Sequence, residues 1–126
     1  MQFIYNISIN IIILALQPFR LFSKKLNIFF KDRVSSLDSI EEKIKPNDKS
    51  IWFHVASLGE FEQIKPIVET LKSENDNLKI LISFFSPSGF KSSLNYNIAE
   101  RVYLPLDTKK NAKNFINKIN PNVAVF

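Results

Sequence analysis

Short β-prone runs alternate with helix-like segments from residue 51 to residue 126, and this alternation restricts the chain to few folds. The sequence predicts four strands, at 51–55, 79–85, 102–104 and 123–126. It predicts helices between them, at 61–72, 88–94 and 109–119. Strands and helices that alternate in this way build a parallel sheet with helices on both faces, through right-handed crossovers. We therefore expect an α/β domain with a Rossmann-like parallel sheet.

The composition excludes several kinds of chemistry. The chain has no cysteine and one histidine, which rules out disulfides, thiolate nucleophiles and sites built from several histidines or cysteines. Carboxylates, hydroxyls and backbone groups remain. The net charge is +5, but the lysines are scattered and are not grouped with aromatic residues. We therefore expect no nucleic-acid partner, because nucleic-acid surfaces concentrate basic residues.

The first 22 residues differ in composition from the rest of the chain. Residues 3–16 read FIYNISINIIILAL, which is shorter than the about 20 apolar residues of a spanning helix. On a helical wheel, the polar residues form one narrow stripe made of Gln2, Asn6, Asn10 and Gln17, with Arg20 beside it. This pattern predicts a membrane-anchor helix over 1–22, either in the bilayer interface or with its stripe against protein. The alternative is a buried N-terminal helix of a soluble fold.

Residues 23–49 are predicted to be an amphipathic connector. Leu37, Ile40 and Ile44 recur at helical spacing, and the polar segment KPNDK at 45–49, which contains Pro46, predicts a linker. Basic residues follow the apolar run and favour a cytoplasmic location for the domain. They are Arg20, Lys24, Lys25, Lys31 and Arg33.

The junctions after the first two strands hold the only two glycines of the chain, Gly59 and Gly89. These junctions read ASLGE at 56–60 and SPSG at 86–89. In an open parallel sheet, ligands bind outside the carboxyl ends of the strands. Glycine also lets the backbone approach a ligand closely. The two junctions are therefore the first candidates for a functional site.

The pair Ser57 and Glu60 has two interpretations. It can be a capping box, in which Ser57 accepts from the Glu60 amide and the Glu60 side chain returns to Ser57. The Glu60 carboxylate can also take a proton from a substrate hydroxyl at the mouth of the sheet. Likewise, Ser86 or Ser88 can be the N-cap of a helix, or the loop can hold an anionic group. The spacing alone leaves these alternatives open.

Two further polar residues are expected to have structural roles. His54 lies inside the first predicted strand and is expected to be a hydrogen-bonded core histidine. Asp107 precedes the last predicted helix and is expected to be its N-cap.

Three strings together resemble the N-terminal half of the 3-deoxy-D-manno-octulosonic acid (Kdo) transferases, in order and in register from about residue 51. They are IWFHVASLGEFEQIKPIVETLK, ILISFFSPSGF and YLPLDTKKNAKNFINKINPNVAVF. The resemblance implies a two-domain glycosyltransferase-B (GT-B) fold, of which residues 50–126 are an incomplete N-terminal, acceptor domain. The second domain, which holds most of the CMP-Kdo site in this family, is not in the chain. The apolar run at 123–126 likewise suggests a fragment, which is expected to be inactive alone.

The resemblance also implies a reaction and assigns residues to it by position. Kdo passes from CMP-Kdo to the lipid A precursor (lipid IVA) with inversion, at the cytoplasmic face of the inner membrane, without metal or cofactor. Glu60 is the general base that activates the acceptor hydroxyl. Ser57 and Gly59 shape this site, and a second cleft-lining loop contributes Ser86, Ser88 and Gly89. Two alternatives remain: a non-catalytic membrane-bound α/β module that binds anionic lipid or nucleotide, and a soluble interaction domain.

Overall fold

Four parallel strands form a single sheet in the computed structural model of the chain, which describes residues 1–45 and 47–126 except the side chain of Leu37. The strands are β1 (Ser50–Val55), β2 (Lys79–Phe84), β3 (Glu100–Tyr103) and β4 (Val123–Val125). Their order across the sheet is β3-β2-β1-β4, and every neighbouring pair is parallel. The predicted α/β class and parallel sheet are confirmed, and this topology is consistent with a Rossmann-like half.

The described part of the chain contains six helices. They are α1 (Gln2–Leu16), α2 (Phe19–Phe22), α3 (Lys24–Lys43), α4 (Leu58–Glu74), α5 (Pro87–Ser92) and α6 (Lys109–Ile119). Helix α4 begins three residues before its predicted start, because the Ser57 hydroxyl accepts from the Glu60 N–H and caps the first turn. Thr108 caps α6 by accepting from the Asn111 N–H at 3.1 Å. The prediction that Asp107 is this cap is therefore wrong.

Side chains alternate between the two faces of the sheet and build two apolar clusters. Helices α4 and α5 cover one face, where the cluster contains Phe53, Val55, Phe61, Val68, Ile80, Ile82, Phe84 and Ala99. Helices α3 and α6 cover the other face, where the cluster contains Ile40, Ile44, Trp52, Leu81, Val102, Phe115 and Ile119. The sheet therefore lies between two helical layers, and its carboxyl-end loops remain open.

Helix α3 occupies most of the predicted connector at 23–49 and packs on the sheet. Ile40 and Ile44 are buried there, as their helical spacing suggests. The Ser36 hydroxyl accepts from the Tyr103 N–H at 2.7 Å, and Lys43 donates to the Arg101 carbonyl at 3.4 Å. These two contacts reach edge strand β3. The side chain of Leu37 and the linker residue Pro46 lie outside the described residues.

Helix α1 lies on the outside of the molecule. It has no buried residue along its whole described length, so the alternative of a buried N-terminal helix does not hold in this structure. Its half-buried residues are Asn6, Ile9, Ile13 and Leu16. Tyr5 donates to the Asp107 carboxylate at 2.5 Å and ties α1 to the loop before α6. Within 1–45 and 47–126, no helix combines the length and apolar character needed to cross a bilayer.

Candidate functional site

The strand order places a topological switch point between β1 and β4. Strands β2 and β3 follow on one side of β1, and the chain then crosses back to place β4 on the opposite side of β1. Ligands of open α/β sheets bind at the carboxyl ends of the strands beside such a point. The first loop, which we define as the junction 56–60 after β1, contains Ser57 and, on the first turn of α4, Gly59 and Glu60. The second loop, the junction 86–89 after β2, contains Ser86 and, on the first turn of α5, Ser88 and Gly89. All six predicted site residues therefore lie at one edge of the sheet.

Glu60 stands on the first turn of α4 and closes a capping interaction there. The Glu60 N–H donates to the Ser57 hydroxyl at 3.3 Å, as predicted. The Glu60 carboxylate accepts from the Ala56 N–H at 2.6 Å, whereas the sequence predicts that it returns to Ser57. The predicted partner is thus wrong by one residue: the carboxylate binds the N–H of the residue before the N-cap.

The Glu60 carboxylate is accessible to a ligand. Residues 56–60 are all exposed, and the hydrogen bond between Glu60 and Ala56 lies at the surface. Water can replace the carboxylate at an exposed N–H, so the side chain can exchange this partner for a substrate hydroxyl at small cost. The arrangement can therefore combine helix capping with proton transfer.

The second loop is held by its two serines. The Ser86 hydroxyl accepts from the Gly89 N–H at 3.4 Å, and the hydroxyl oxygens of Ser86 and Ser88 lie 2.6 Å apart. Ser86 is therefore the N-cap of α5, and Ser88 is the exposed member of the pair. The Ser88 hydroxyl is the group of this loop that is best placed to meet a ligand.

The two glycines have different surroundings. A Cβ atom at Gly89 would lie 3.1 Å from the Phe84 ring and 3.5 Å from main-chain atoms of Ser57 and Leu58. The Phe84 ring is the tight neighbour, whereas 3.5 Å is an ordinary van der Waals distance, so glycine at this position mainly leaves room for Phe84. A Cβ atom at Gly59 would meet only the Ser57 hydroxyl, at 3.9 Å. Packing does not require glycine at this position, and Gly59 leaves space above the backbone beside Glu60.

His54 is hydrogen-bonded, as predicted, but it is half-buried. Its Nδ1 lies 3.0 Å from the hydroxyl oxygen of Ser83, which also accepts from Trp52 Nε1 at 2.8 Å. Burial lowers the pKa of His54, and the main chain of Ser83 and the charge of Glu60 act weakly in the opposite direction. His54 is therefore neutral at pH 7, and its contacts are those of a structural residue.

The structural role of Arg33 was missed in the sequence. The sequence indicates Arg33 only as one of the basic residues that follow the apolar run, whereas the residue is buried and only 3% exposed. A signal was available, because Phe30, Arg33 and Ile40 share the spacing of the apolar face of α3. Arg33 donates to the carbonyl of Phe85, the residue directly before the second loop, at 2.7 Å.

The chemistry at this edge rests on one carboxylate, several hydroxyls and free backbone groups. Across the residues that the structure describes, no group of three or more His, Cys, Asp or Glu residues is arranged to hold a metal ion. A carboxylate beside an open cleft can remove a proton from a hydroxyl group.

Comparisons with known proteins show which family the chain is similar to. A family model described as 3-deoxy-D-manno-octulosonic-acid transferase (kdotransferase) matches residues 30–126. This range begins inside α3 and includes both loops of the candidate site. No solved structure matches the chain.

Two curated proteins are similar to the chain. A bifunctional glycosyltransferase/methyltransferase of Fusobacterium nucleatum is 28% identical over 125 residues, which cover 96% of this chain and 18% of that protein. A 3-deoxy-D-manno-octulosonic acid transferase of Aquifex aeolicus is 40% identical over 47 residues, which cover 37% of this chain and 12% of that protein. The chain thus spans less than a fifth of the length of either relative. With the family model matched over residues 30–126, the chain belongs to the 3-deoxy-D-manno-octulosonic-acid transferase (kdotransferase) family.

Proposed function

We propose that this chain is the acceptor-side part of a GT-B enzyme that transfers Kdo from CMP-Kdo to a lipid A precursor, lipid IVA. One observation carries the proposal. The Glu60 carboxylate is exposed on the first turn of α4, at the topological switch point and within the range that matches the family. Sugar transfer to a hydroxyl needs a base at such a position, because the hydroxyl must lose a proton as it attacks.

In the proposed reaction, a hydroxyl of the lipid's glucosamine approaches Glu60, whose carboxylate exchanges the Ala56 N–H for this new partner. Glu60 takes the hydroxyl proton while the oxygen forms a bond to the anomeric carbon of Kdo. The bond between that carbon and the phosphate oxygen of CMP breaks, and CMP leaves with the electron pair, so that the configuration inverts. The reaction as proposed uses no metal or cofactor.

The neighbouring residues assist this step by position. Ser57 keeps the first turn of α4 in place through the Glu60 N–H, and Gly59 leaves room for the acceptor. Ser86 and Gly89 fix the second loop, and Ser88 offers a hydroxyl to the substrate. Most contacts to CMP-Kdo come from a second domain in this proposal. The small share of each relative that the chain covers supports a larger enzyme.

We expect the purified full-length protein, given CMP-Kdo and lipid IVA, to form Kdo-modified lipid and free CMP. Mass spectrometry of the lipid and chromatography of the nucleotide measure both products. Addition of EDTA should leave the rate unchanged, because the proposed step uses no metal. Binding of CMP-Kdo and lipid IVA without release of CMP would contradict the proposal. It would support the alternative of a non-catalytic membrane-bound module.

We also propose that α1 and α2 attach the domain to the cytoplasmic face of the inner membrane, where the acceptor lipid lies. Large apolar side chains along these helices are exposed to solvent. They include Ile4, Ile7, Ile11, Leu14, Leu21 and Phe22, which are 44–89% exposed. Apolar surface of this kind gains free energy on entering a bilayer interface. Arg20, Lys24 and Lys25 lie beside it and can attract anionic headgroups.

The double substitution Ile11→Glu and Leu14→Glu should weaken binding to anionic lipid vesicles at least about tenfold. Full burial of one aliphatic side chain contributes about 1.5–3 kcal/mol, and about 1.4 kcal/mol corresponds to a tenfold change in affinity. Co-sedimentation with vesicles measures the effect. The matched control is Asn114→Glu with Asn117→Glu, which adds the same charge to the exposed face of α6. Equal co-sedimentation of both double variants would contradict the proposed attachment.

A further inference from the structure

Arg33 is a buried cation without a carboxylate partner in the described part of the chain. The residue is 3% exposed, and none of the ion pairs among residues 1–45 and 47–126 includes it. Burial lowers the pKa of Arg33, against the smaller opposite effects of Tyr103 and Asp32. A buried charge without a counter-charge is costly, and an apolar residue of similar size is often at least as stable. Stability alone therefore does not account for this arginine.

The guanidinium group is fixed on two sides. Its Nη1 donates to the Phe29 carbonyl at 3.1 Å, and its Nη2 donates to the Phe85 carbonyl at 2.7 Å. The guanidinium carbon lies 3.4 Å from the centre of the Phe29 ring and 5.3 Å from that of Tyr103. These contacts hold the side chain in a single position between α3 and the end of β2.

Phe85 connects the Arg33 side chain to the candidate site. Its N–H donates to the carbonyl of Val55, the last residue of β1, at 3.1 Å, and its carbonyl accepts from Arg33. Both polar groups of Phe85 are thus bound just before Ser86, which caps α5. Gly89 follows in the first turn of α5, next to the first loop: a Cβ atom at Gly89 would lie 3.5 Å from the main chain of Ser57, three residues before Glu60. A series of neighbouring groups therefore runs from Arg33 through the second loop to the first.

We propose that Arg33 is a positioning residue for the transfer reaction. Its guanidinium group fixes the Phe85 carbonyl, and the second loop, 86–89, is thereby held against the loop that carries Glu60. The expected effect of Arg33 on the reaction rate rests on the proposed function. The expected effect of Arg33 on the positions of the two loops does not depend on that function. A shift of about 1 Å in a reacting group can cost about 10²-fold in rate, so a residue that fixes both loops affects kcat.

The test compares Arg33→Met, Arg33→Lys and Lys31→Met in the full-length protein. Methionine keeps the apolar stem and removes the charge and both donated hydrogen bonds. We expect kcat for Kdo transfer to fall about 10–100-fold in Arg33→Met, with an unchanged KM for CMP-Kdo and no decrease in melting temperature. Arg33→Lys keeps the charge and should restore part of kcat. Lys31→Met makes the same chemical change at an exposed position of α3 and should leave kcat unchanged.

A second measurement does not depend on activity. In the ¹⁵N-labelled protein, the backbone amide signals of Ser86, Gly89 and Glu60 should move in Arg33→Met and stay in place in Lys31→Met. Unmoved loop signals in both Arg33 variants, or a loss of kcat that only follows a fall in melting temperature, would overturn the proposal. If Arg33→Met does not fold, the same measurement on Arg33→Lys tests the proposal: loop signals that move support it, and loop signals that stay in place overturn it. It is also possible to separate the two proposals. If the loop signals move in Arg33→Met but the wild-type protein transfers no Kdo, the result supports the positioning of the loops by Arg33 and rejects the proposed function.

Discussion

Replacement of Glu60 with glutamine is expected to lower kcat for Kdo transfer by about 10²–10⁴-fold, the usual contribution of a general base. Glutamine cannot take a proton from the acceptor hydroxyl. Its amide oxygen can still accept from the Ala56 N–H, which now binds the carboxylate at 2.6 Å. The first turn of α4 should therefore remain capped, and the melting temperature should stay close to that of the wild type. Kinetics and thermal unfolding of the same preparation measure both quantities.

Glu62→Gln is the matched control for this experiment. Glu62 is exposed two residues further along α4 and pairs with Lys65 at 2.8 Å. An exposed ion pair of this kind contributes about 0–1 kcal/mol, so the control should keep both its kcat and its stability. Transfer by Glu60→Gln at the rate of Glu62→Gln would show that Glu60 is a capping residue only, and the base would have to be sought elsewhere.

Truncation of Phe61 to alanine is expected to cost about 3–5 kcal/mol of unfolding free energy. Phe61 is 0% exposed and fills the core on the face covered by α4. Its ring lies edge-to-face with Phe84 at 5.3 Å and with Tyr96 at 5.4 Å, so its removal leaves a cavity between aromatic rings. Urea unfolding, followed by the fluorescence of the single tryptophan, measures the change. Because domains have only about 5–15 kcal/mol of stability, the variant should be measured at low temperature.

Ile67→Ala is the control for this second prediction. Ile67 belongs to the same helix and is 52% exposed, so its truncation should change the unfolding free energy by no more than about 0.5 kcal/mol. Equal losses for Phe61→Ala and Ile67→Ala would contradict the assignment of Phe61 to the centre of this core.

Strand β2 was predictable because its apolar run is nearly continuous, as in sheets covered on both faces. Strand β3 begins two residues before its predicted start, because it includes the charged residues Glu100 and Arg101. Helix α6 has the bounds that the sequence predicts, since Thr108 caps its start and Asn120, with φ 36°, ends it in the left-handed region. The start of α4 was placed three residues late because the apolar spacing begins at Phe61, whereas the cap at Ser57 sets the first turn. Apolar periodicity thus locates an element, and capping side chains decide its limits.

The position of the candidate site was also predictable, since strand-to-helix junctions of parallel strands lie at one edge of the sheet. Three of its details were not. The partner of the Glu60 carboxylate depends on local backbone geometry, and the close approach of Gly89 to the Phe84 ring depends on how α5 packs on the sheet. The burial of Arg33 depends on how α3 docks. Each of these is a tertiary property, and sequence patterns describe mainly local structure.

The docking of α3 has a consequence for self-association of the chain. Edge strands expose free N–H and C=O groups, to which a strand of another molecule can add, and this is a common start of aggregation. On β3, the Tyr103 N–H is bound by Ser36 and the Arg101 carbonyl by Lys43. An incoming strand would have to displace both side chains together with the helix that carries them. Helix α3 thus protects this border of the sheet against amyloid-like pairing, and the protection exists only once the helix has docked.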